Sequence, residues 1–285
     1  MTHSTIFISA AACFLLLAGN VEAEETWDDV WNGLEESFAL PVGEWLEDTQ
    51  NEGLLEQLAD PWKVDAGLNA AKNDKGSYTP LANATVKFTP LGFWFAEANF
   101  FHYLEKSERK PWDPDFVYRF GCEDWRPYAL SLVYSNYSGN RSSSDLVEKY
   151  DQGTYTLTWN LPLSGELARP FLIETDKTIG CKISILHAPK YVDQDGQIQR
   201  DQTRLSLSFD APIYGGWYLS FNLFYYIDSS QQQPWSPDYT FEFGYRNELF
   251  TIAYKNYRGN RFPWHDDMPH DGGFAEGGIG ITWHW

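Results

Sequence analysis

From residue 62 onward, large apolar side chains recur at every second position in run after run. That period of two constrains the fold more than any other feature of the chain. In 238–246, Tyr239, Phe241, Phe243 and Tyr245 alternate with Thr240, Glu242, Gly244 and Arg246. In 217–227, Trp217, Leu219, Phe221, Leu223 and Tyr225 alternate with Tyr218, Ser220, Asn222 and Phe224, and in 115–122, Phe116, Tyr118 and Phe120 alternate with Val117, Arg119 and Gly121. A strand sends successive side chains to opposite faces, so each run reads as a strand with one apolar and one polar face. Lipid outside and a polar lumen inside demand that pattern. The low mean hydropathy of −0.45 agrees with it, because such a wall hides only alternate residues.

The strands are preceded by two segments of different character. Ile6 to Ala18 is an apolar run ending in Val21-Glu22-Ala23, and Cys13 lies within it. It is too short to span a bilayer as a helix, which takes about 20 apolar residues. Its length and small-residue ending fit a cleaved signal peptide over 1–23. Residues 24–60 carry twelve Asp or Glu and no Lys or Arg, within a chain of formal net charge −19. Trp27, Val30, Trp31, Leu34 and Phe38 fall on one helical face. The reading is an acidic periplasmic helical leader, either packed beneath the barrel or acting as a plug or a dock for a periplasmic partner. The acidity argues against nucleic acid as a partner. Cys122 and Cys181 read as two small apolar residues rather than as a bridge. No later segment has the apolar length of a spanning helix, so membrane insertion requires a closed barrel, over 61–285.

An internal repeat sets the strand count. Pro111-Trp-Asp-Pro-Asp-Phe-Val-Tyr-Arg-Phe-Gly is answered by Pro234-Trp-Ser-Pro-Asp-Tyr-Thr-Phe-Glu-Phe-Gly. Tyr134-Ser-Asn-Tyr-Ser-Gly-Asn-Arg141 is answered by Tyr254-Lys-Asn-Tyr-Arg-Gly-Asn-Arg261, and Thr158-Trp159 by Thr282-Trp283. The near-constant offset reads as duplication, with six strands per half. The first half places them near 62–70, 81–89, 93–103, 115–122, 127–137 and 153–161. The second places them near 179–188, 203–210, 217–227, 238–246, 249–257 and 276–285. Links at 90–92, 123–126, 211–216 and 247–248 are short, with 162–178 as the exception. Links at 104–114, 138–152, 189–202, 228–237 and 258–275 are long. Short turns toward the periplasm and long loops outside describe a twelve-stranded antiparallel barrel in the outer membrane of a Gram-negative cell. Its partners would be outer-membrane lipid and lipopolysaccharide. The terminal Thr282-Trp283-His284-Trp285 resembles the signal read by the barrel-assembly machinery. A soluble β-sandwich explains the alternation but not the loop rhythm or the terminal aromatic.

The run from Tyr134 to Ser142 resembles the active-site segment of outer-membrane phospholipase A, a family of twelve-stranded barrels with a short periplasmic leader. The Pro-Trp-x-Pro-Asp loop, the Val86-Lys87-Phe88 strand and the Leu-rich stretch before Pro61 fall in comparable places. The resemblance puts Ser138 at the nucleophile position and Arg141 at an arginine used near a calcium site. It puts Asn136 at the base position, and asparagine cannot take a proton near neutral pH. The family's Asn twelve residues after the Ser falls at Tyr150, and the second copy, with Asn256 and Arg258, lacks base and nucleophile alike. Carried over residue by residue, the site is inactive unless a histidine such as His187 substitutes.

Three classes of function follow. The first is a narrow pore or ligand-binding barrel, gated by the leader. Its lumen would carry Glu97, Asn99, Arg119, Asn222, Glu242 and Lys255, and its mouth Tyr137, Asn140, Arg141, Tyr257, Asn260 and Arg261, with the two arginines attracting an anionic ligand. The second is a phospholipase-like barrel without its base, serving structurally. The third is an active lipid hydrolase using Ser138. The group His265, Asp266, Asp267, His270 and Asp271 has the chemistry to bind a divalent cation such as calcium, without an established ligand spacing. No other cofactor is implied.

Overall fold

The computed structural model describes residues 61–72, 78–105, 114–124, 126–136, 153–161, 179–256, 260–265 and 277–285. The signal peptide and leader expected over 1–60 lie outside the described residues. Twelve strands run in chain order: β1 (Trp62–Lys72), β2 (Tyr78–Leu91), β3 (Trp94–Tyr103), β4 (Phe116–Cys122), β5 (Leu130–Asn136), β6 (Thr154–Asn160), β7 (Gly180–Val192), β8 (Ile198–Tyr214), β9 (Trp217–Tyr226), β10 (Tyr239–Arg246), β11 (Phe250–Asn256) and β12 (Gly278–His284). Each pairs antiparallel with the next, and β12 returns to β1, so the sheet is a closed barrel. Closure removes every sheet edge.

The seam between first and last strands is firmly tied. Val64 and Trp285 exchange backbone hydrogen bonds at 3.3 and 3.0 Å, and His284 Nδ1 lies 2.7 Å from Asp65 Oδ1. At one end of the barrel the links are short, as at Gly215–Gly216 between β8 and β9. Both glycines have positive φ, 55° and 93°, the backbone of a two-residue hairpin that twists with its strands. The other end bears the long loops.

The outward face is apolar and banded. Trp62, Trp94, Trp217 and Trp283 all point outward at the short-turn end and stay exposed. Leu68, Leu132, Leu157, Ile185, Leu219, Ile252 and Ile279 are exposed nearer the middle. Tyr225, Tyr239 and Tyr254 lie toward the long-loop end. On β9, the run from Trp217 to Tyr225 is about 26 Å along the strand. Register is reinforced by cross-strand aromatic pairs, such as Trp217 stacked on Phe243 at 5.2 Å and Phe221 on Tyr239 at 5.7 Å.

Strand ends fall within three residues of those expected except on β7 and β8. There the link expected over 189–202 is instead a continued hairpin, paired up to Val192 and Ile198. Lys190, Gln199, Arg200 and Gln202 interrupt its apolar alternation, so its sequence reads as loop. Its backbone keeps pairing because Asp193 caps the turn, accepting from the Gln197 and Asp195 amides at 2.8 and 3.0 Å. Cys122 on β4 and Cys181 on β7 are both free.

The backbones of β4 and β5 approach closely at Gly121 on β4, with φ 152°. A Cβ there would meet the Leu132 carbonyl oxygen and come within 2.9 Å of Val133 Cα. Gly121→Ala is expected to lower barrel stability by about 1–3 kcal/mol, read from urea unfolding in detergent micelles. An unchanged midpoint would show that β4 and β5 can separate locally without cost.

Candidate functional site

The inward faces carry hydroxyls, amides and charges. Glu97 on β3 and Arg119 on β4 form an ion pair of 2.9 Å, and Arg119 also reaches Glu123 at 3.3 Å. Glu123 in turn meets Lys87 of β2 at 3.4 Å. On the facing wall Glu242 of β10 pairs with Lys255 of β11 at 3.2 Å and accepts the Tyr218 hydroxyl hydrogen bond. Asn222 donates to Thr240 Oγ1 at 3.2 Å, while Asn99 Oδ1 is buried without a partner. Among the described residues, each of these lumen ion pairs joins strands no more than two places apart. The charges are therefore neutralised along the wall, and none of these pairs crosses the interior.

Space remains at the short-turn end. A cavity of ≈ 700 Å³ is lined by Lys63, Glu242, Arg246, Lys255, Thr282 and His284, among others. A smaller one of ≈ 200 Å³ lies against Lys87, Phe95, Glu123 and Lys182. Small residues make room in the wall: a Cβ on Gly280 would strike the Asn69 amide, and Asn69 donates to Asn83 at 2.6 Å.

The long-loop end of the second half is organised around Asp238, which is 2 % exposed. Its Oδ1 accepts from Gln232 Nε2 at 2.8 Å and from Arg261 Nη1 at 3.3 Å. Its Oδ2 accepts from the Phe262 amide at 2.8 Å and lies 2.8 Å from His265 Nδ1. Arg261 also donates to the Gln233 carbonyl at 2.7 Å, leaving its Nε buried without a partner. Asn260 donates to Tyr239 O and to Asn256 Oδ1 at 3.0 and 2.9 Å. Burial opposes ionisation of Asp238, but the Phe262 amide, Gln232 and His265 together outweigh it and hold its carboxyl below the usual range.

Arg261, Asn260 and His265 thus sit inside a clamp that binds the loop before β10 to the segment after β11. Sequence reasoning named those three but not the carboxylate that gathers them. The available signal was the Pro-Trp-x-Pro-Asp motif, whose last residue in the second half is Asp238. The first half repeats one element of the clamp: Phe101 N donates to Asp115 O at 2.8 Å, as Phe224 N does to Asp238 O at 2.8 Å. Asn136 and Asn256, at corresponding strand ends, are each 0 % exposed. Asn136 therefore does not present its amide on the outer surface, as its strand parity suggested. It donates to Tyr134 Oη, at 3.4 Å, and Tyr134 itself is packed among Tyr118, Phe120 and Tyr155. Tyr137, Ser138, Asn140, Arg141, Tyr257, Asp266, Asp267, His270 and Asp271 lie outside the described residues.

No protein-family model matches the chain, and no curated protein matches it. Among solved structures the chain is similar to a NanC porin, at 10 % identity and a TM-score of 0.38, over 78 % of this chain and 97 % of that one.

The clamp has a definite pH signature. A carboxyl whose folded pKa is depressed contributes stability above its unfolded value and loses it as pH falls through the folded value. Local protection of the Phe262 amide, measured by hydrogen exchange, is expected to hold at neutral pH and to fall once pH drops below about 4. Asp238→Asn is expected to cost about 3 kcal/mol of that protection and to abolish its dependence on acid. Equal exchange in both proteins would show the clamp to be idle.

Proposed function

We propose that this chain is an outer-membrane β-barrel whose lumen forms a narrow pore for small polar solutes. The observation that carries the pore reading is the course of the lumen ion pairs, which follow the wall, with a cavity of ≈ 700 Å³ lying against the Glu242–Lys255 pair. Twelve strands lie between the eight that side chains nearly fill and the sixteen or more that leave a wide aqueous channel. The outward face supports the membrane reading. Tryptophans at one end, tyrosines toward the other and aliphatic residues between them suit two headgroup layers around a hydrocarbon core. On this reading residues 1–23 direct export, the 24–60 leader and the short turns face the periplasm, and the long loops meet lipopolysaccharide. The paired hydrogen bonds of Asp115 and Asp238 are what a six-plus-six duplication would leave behind.

The test is single-channel conductance of the refolded protein in planar bilayers, with and without residues 24–60. Discrete openings are expected, and openings that require removal of the leader would make it a plug. Silence from both forms would overturn the pore in favour of a structural barrel.

A second reading, a lipid hydrolase with phospholipase-A-like architecture, is favoured by one observation. His187 lies in the outward row that also holds Tyr134 and Tyr155. Its Nδ1 is 3.0 Å from the Thr203 hydroxyl, and its Nε2 is 3.9 Å from Asp201 Oδ1. A histidine there stands near the headgroups, where a base for Ser138 would be needed. This reading expects hydrolysis of phospholipid vesicles that both Ser138→Ala and His187→Ala reduce at least about 100-fold. Wild-type protein that releases no fatty acid would exclude it.

A further inference from the structure

One ring nitrogen of His284 serves the seam, and the other meets a hydroxyl. His284 on β12 has Nδ1 2.7 Å from Asp65 Oδ1 of β1 and Nε2 2.9 Å from Thr251 Oγ1 of β11. Asp65, as a carboxylate, accepts from Nδ1–H, which leaves Nε2 of the neutral ring to accept from the Thr251 hydroxyl. A hydroxyl, an imidazole in that tautomer and a carboxylate that fixes it are the parts of a nucleophile with its own base. Three neighbouring strands supply one part each, so backbone pairing holds the set in place.

The wall does not require this set. In the other half of the barrel Ser131 faces Thr158 as Thr251 faces Thr282, and Asn160 faces Lys182 as His284 faces Asp65. At those matching positions β5, β6 and β7 pair with an amide and an amine in place of imidazole and carboxylate. There Ser131 bonds to the Asp124 backbone, and Asn160 donates to the Arg126 carbonyl at 3.3 Å. The second-half residues differ also in what they face. Thr251 and His284 line the cavity of ≈ 700 Å³ at the short-turn end, beside Lys63, Arg246 and the paired Glu242 and Lys255. Arg246 stands opposite Thr251 across the β10–β11 ladder and lies over the Tyr218 ring at 4.4 Å. Cationic side chains around a reacting carbonyl favour the negative charge that develops on its oxygen.

We propose that Thr251, His284 and Asp65 form an esterolytic site in the short-turn mouth, acting on acyl esters small enough to enter that cavity. Thr251 Oγ1 bonds to the acyl carbon while its proton passes to His284 Nε2 and the carbonyl electron pair moves onto oxygen. Collapse of that intermediate breaks the ester C–O bond, and the departing alcohol takes the proton from Nε2. A water then repeats the sequence on the acyl-threonine, releasing the carboxylic acid and restoring the hydroxyl. Asp65 is a positioning residue, since it acts through His284. The chemistry needs the cavity but not an open channel, so it is separate from the pore and from hydrolysis at Ser138.

The test gives p-nitrophenyl acetate to the full-length protein refolded in detergent micelles. Nitrophenolate release is followed, and the acylated residue is located by mass spectrometry. Saturable hydrolysis and an acetyl group on Thr251 are expected. Thr251→Val, which keeps the shape without the hydroxyl, is expected to lower kcat at least about 100-fold and to abolish the adduct, while Thr251→Ser keeps both. Asp65→Asn is expected to lower kcat at least about 100-fold with KM held, because the amide favours the wrong tautomer of His284. Folding of each variant is checked by the mobility of the unheated barrel on a gel. If Asp65→Asn does not fold, Thr251→Val still decides, because it leaves the β1–β12 seam untouched. Wild-type protein that does not cleave the ester, an adduct on another residue, or a rate that Thr251→Val leaves unchanged overturns the site, whatever the conductance.

Discussion

The backbone of a β-strand carries a donor and an acceptor at each residue, and every one must find a partner if the strand is to lie in hydrocarbon. The pairing of β1 with β12 is what satisfies that demand here. Seven paired positions, from Asp65 opposite His284 to Ala71 opposite Gly278, turn twelve hairpin-linked strands into a sheet without edges. The Asp65–His284 contact and the Val64–Trp285 exchange sit at one end of this seam, where the chain enters the barrel and where it leaves. The alternation of side chains, the lumen and the two unlike mouths all depend on that closure.

Inside, charge is handled locally. Glu97, Arg119, Glu123 and Lys87 form one network and Glu242 with Lys255 another, each confined to neighbouring strands. An ion pair reaching across the interior would tie opposite walls together; one between neighbours supports the wall alone. The buried Asp238–Arg261 pair performs a different task. With both side chains removed from water, it fixes two loop segments relative to β10. Such a pair contributes definition of structure more than net stability, because desolvation offsets much of the attraction.

The strands were legible because period-two patterning is a direct consequence of one wet and one dry face. β9 and β10 show it without interruption. β7 and β8 were legible only within the barrel wall: beyond it polar residues such as Lys190, Arg200 and Gln202 interrupt the alternation, although pairing continues. The lumen residues could be named from parity alone, but not their partners, which depend on stagger between strands. Arg261 was readable as an important side chain and its partner was not. Asp238 and Arg261 are 23 positions apart, and no local pattern announces a contact between the end of one loop and the start of another.

The charged lumen has a consequence for how such a wall is assembled. Side chains alternate with a period of two, so a strand that pairs one residue out of register turns its whole inner face outward. If the barrel lies in a membrane as proposed, for β4 that would place Arg119 against lipid, and for β11 Lys255, at a cost of up to about 2–4 kcal/mol each, depending on depth. It would also strand Glu97 and Glu242 opposite side chains of no opposing charge. Misthreaded strands are thus penalised twice, once by lipid and once by the abandoned partner. The ion pairs that line the interior act in this way as a proofreading device for register.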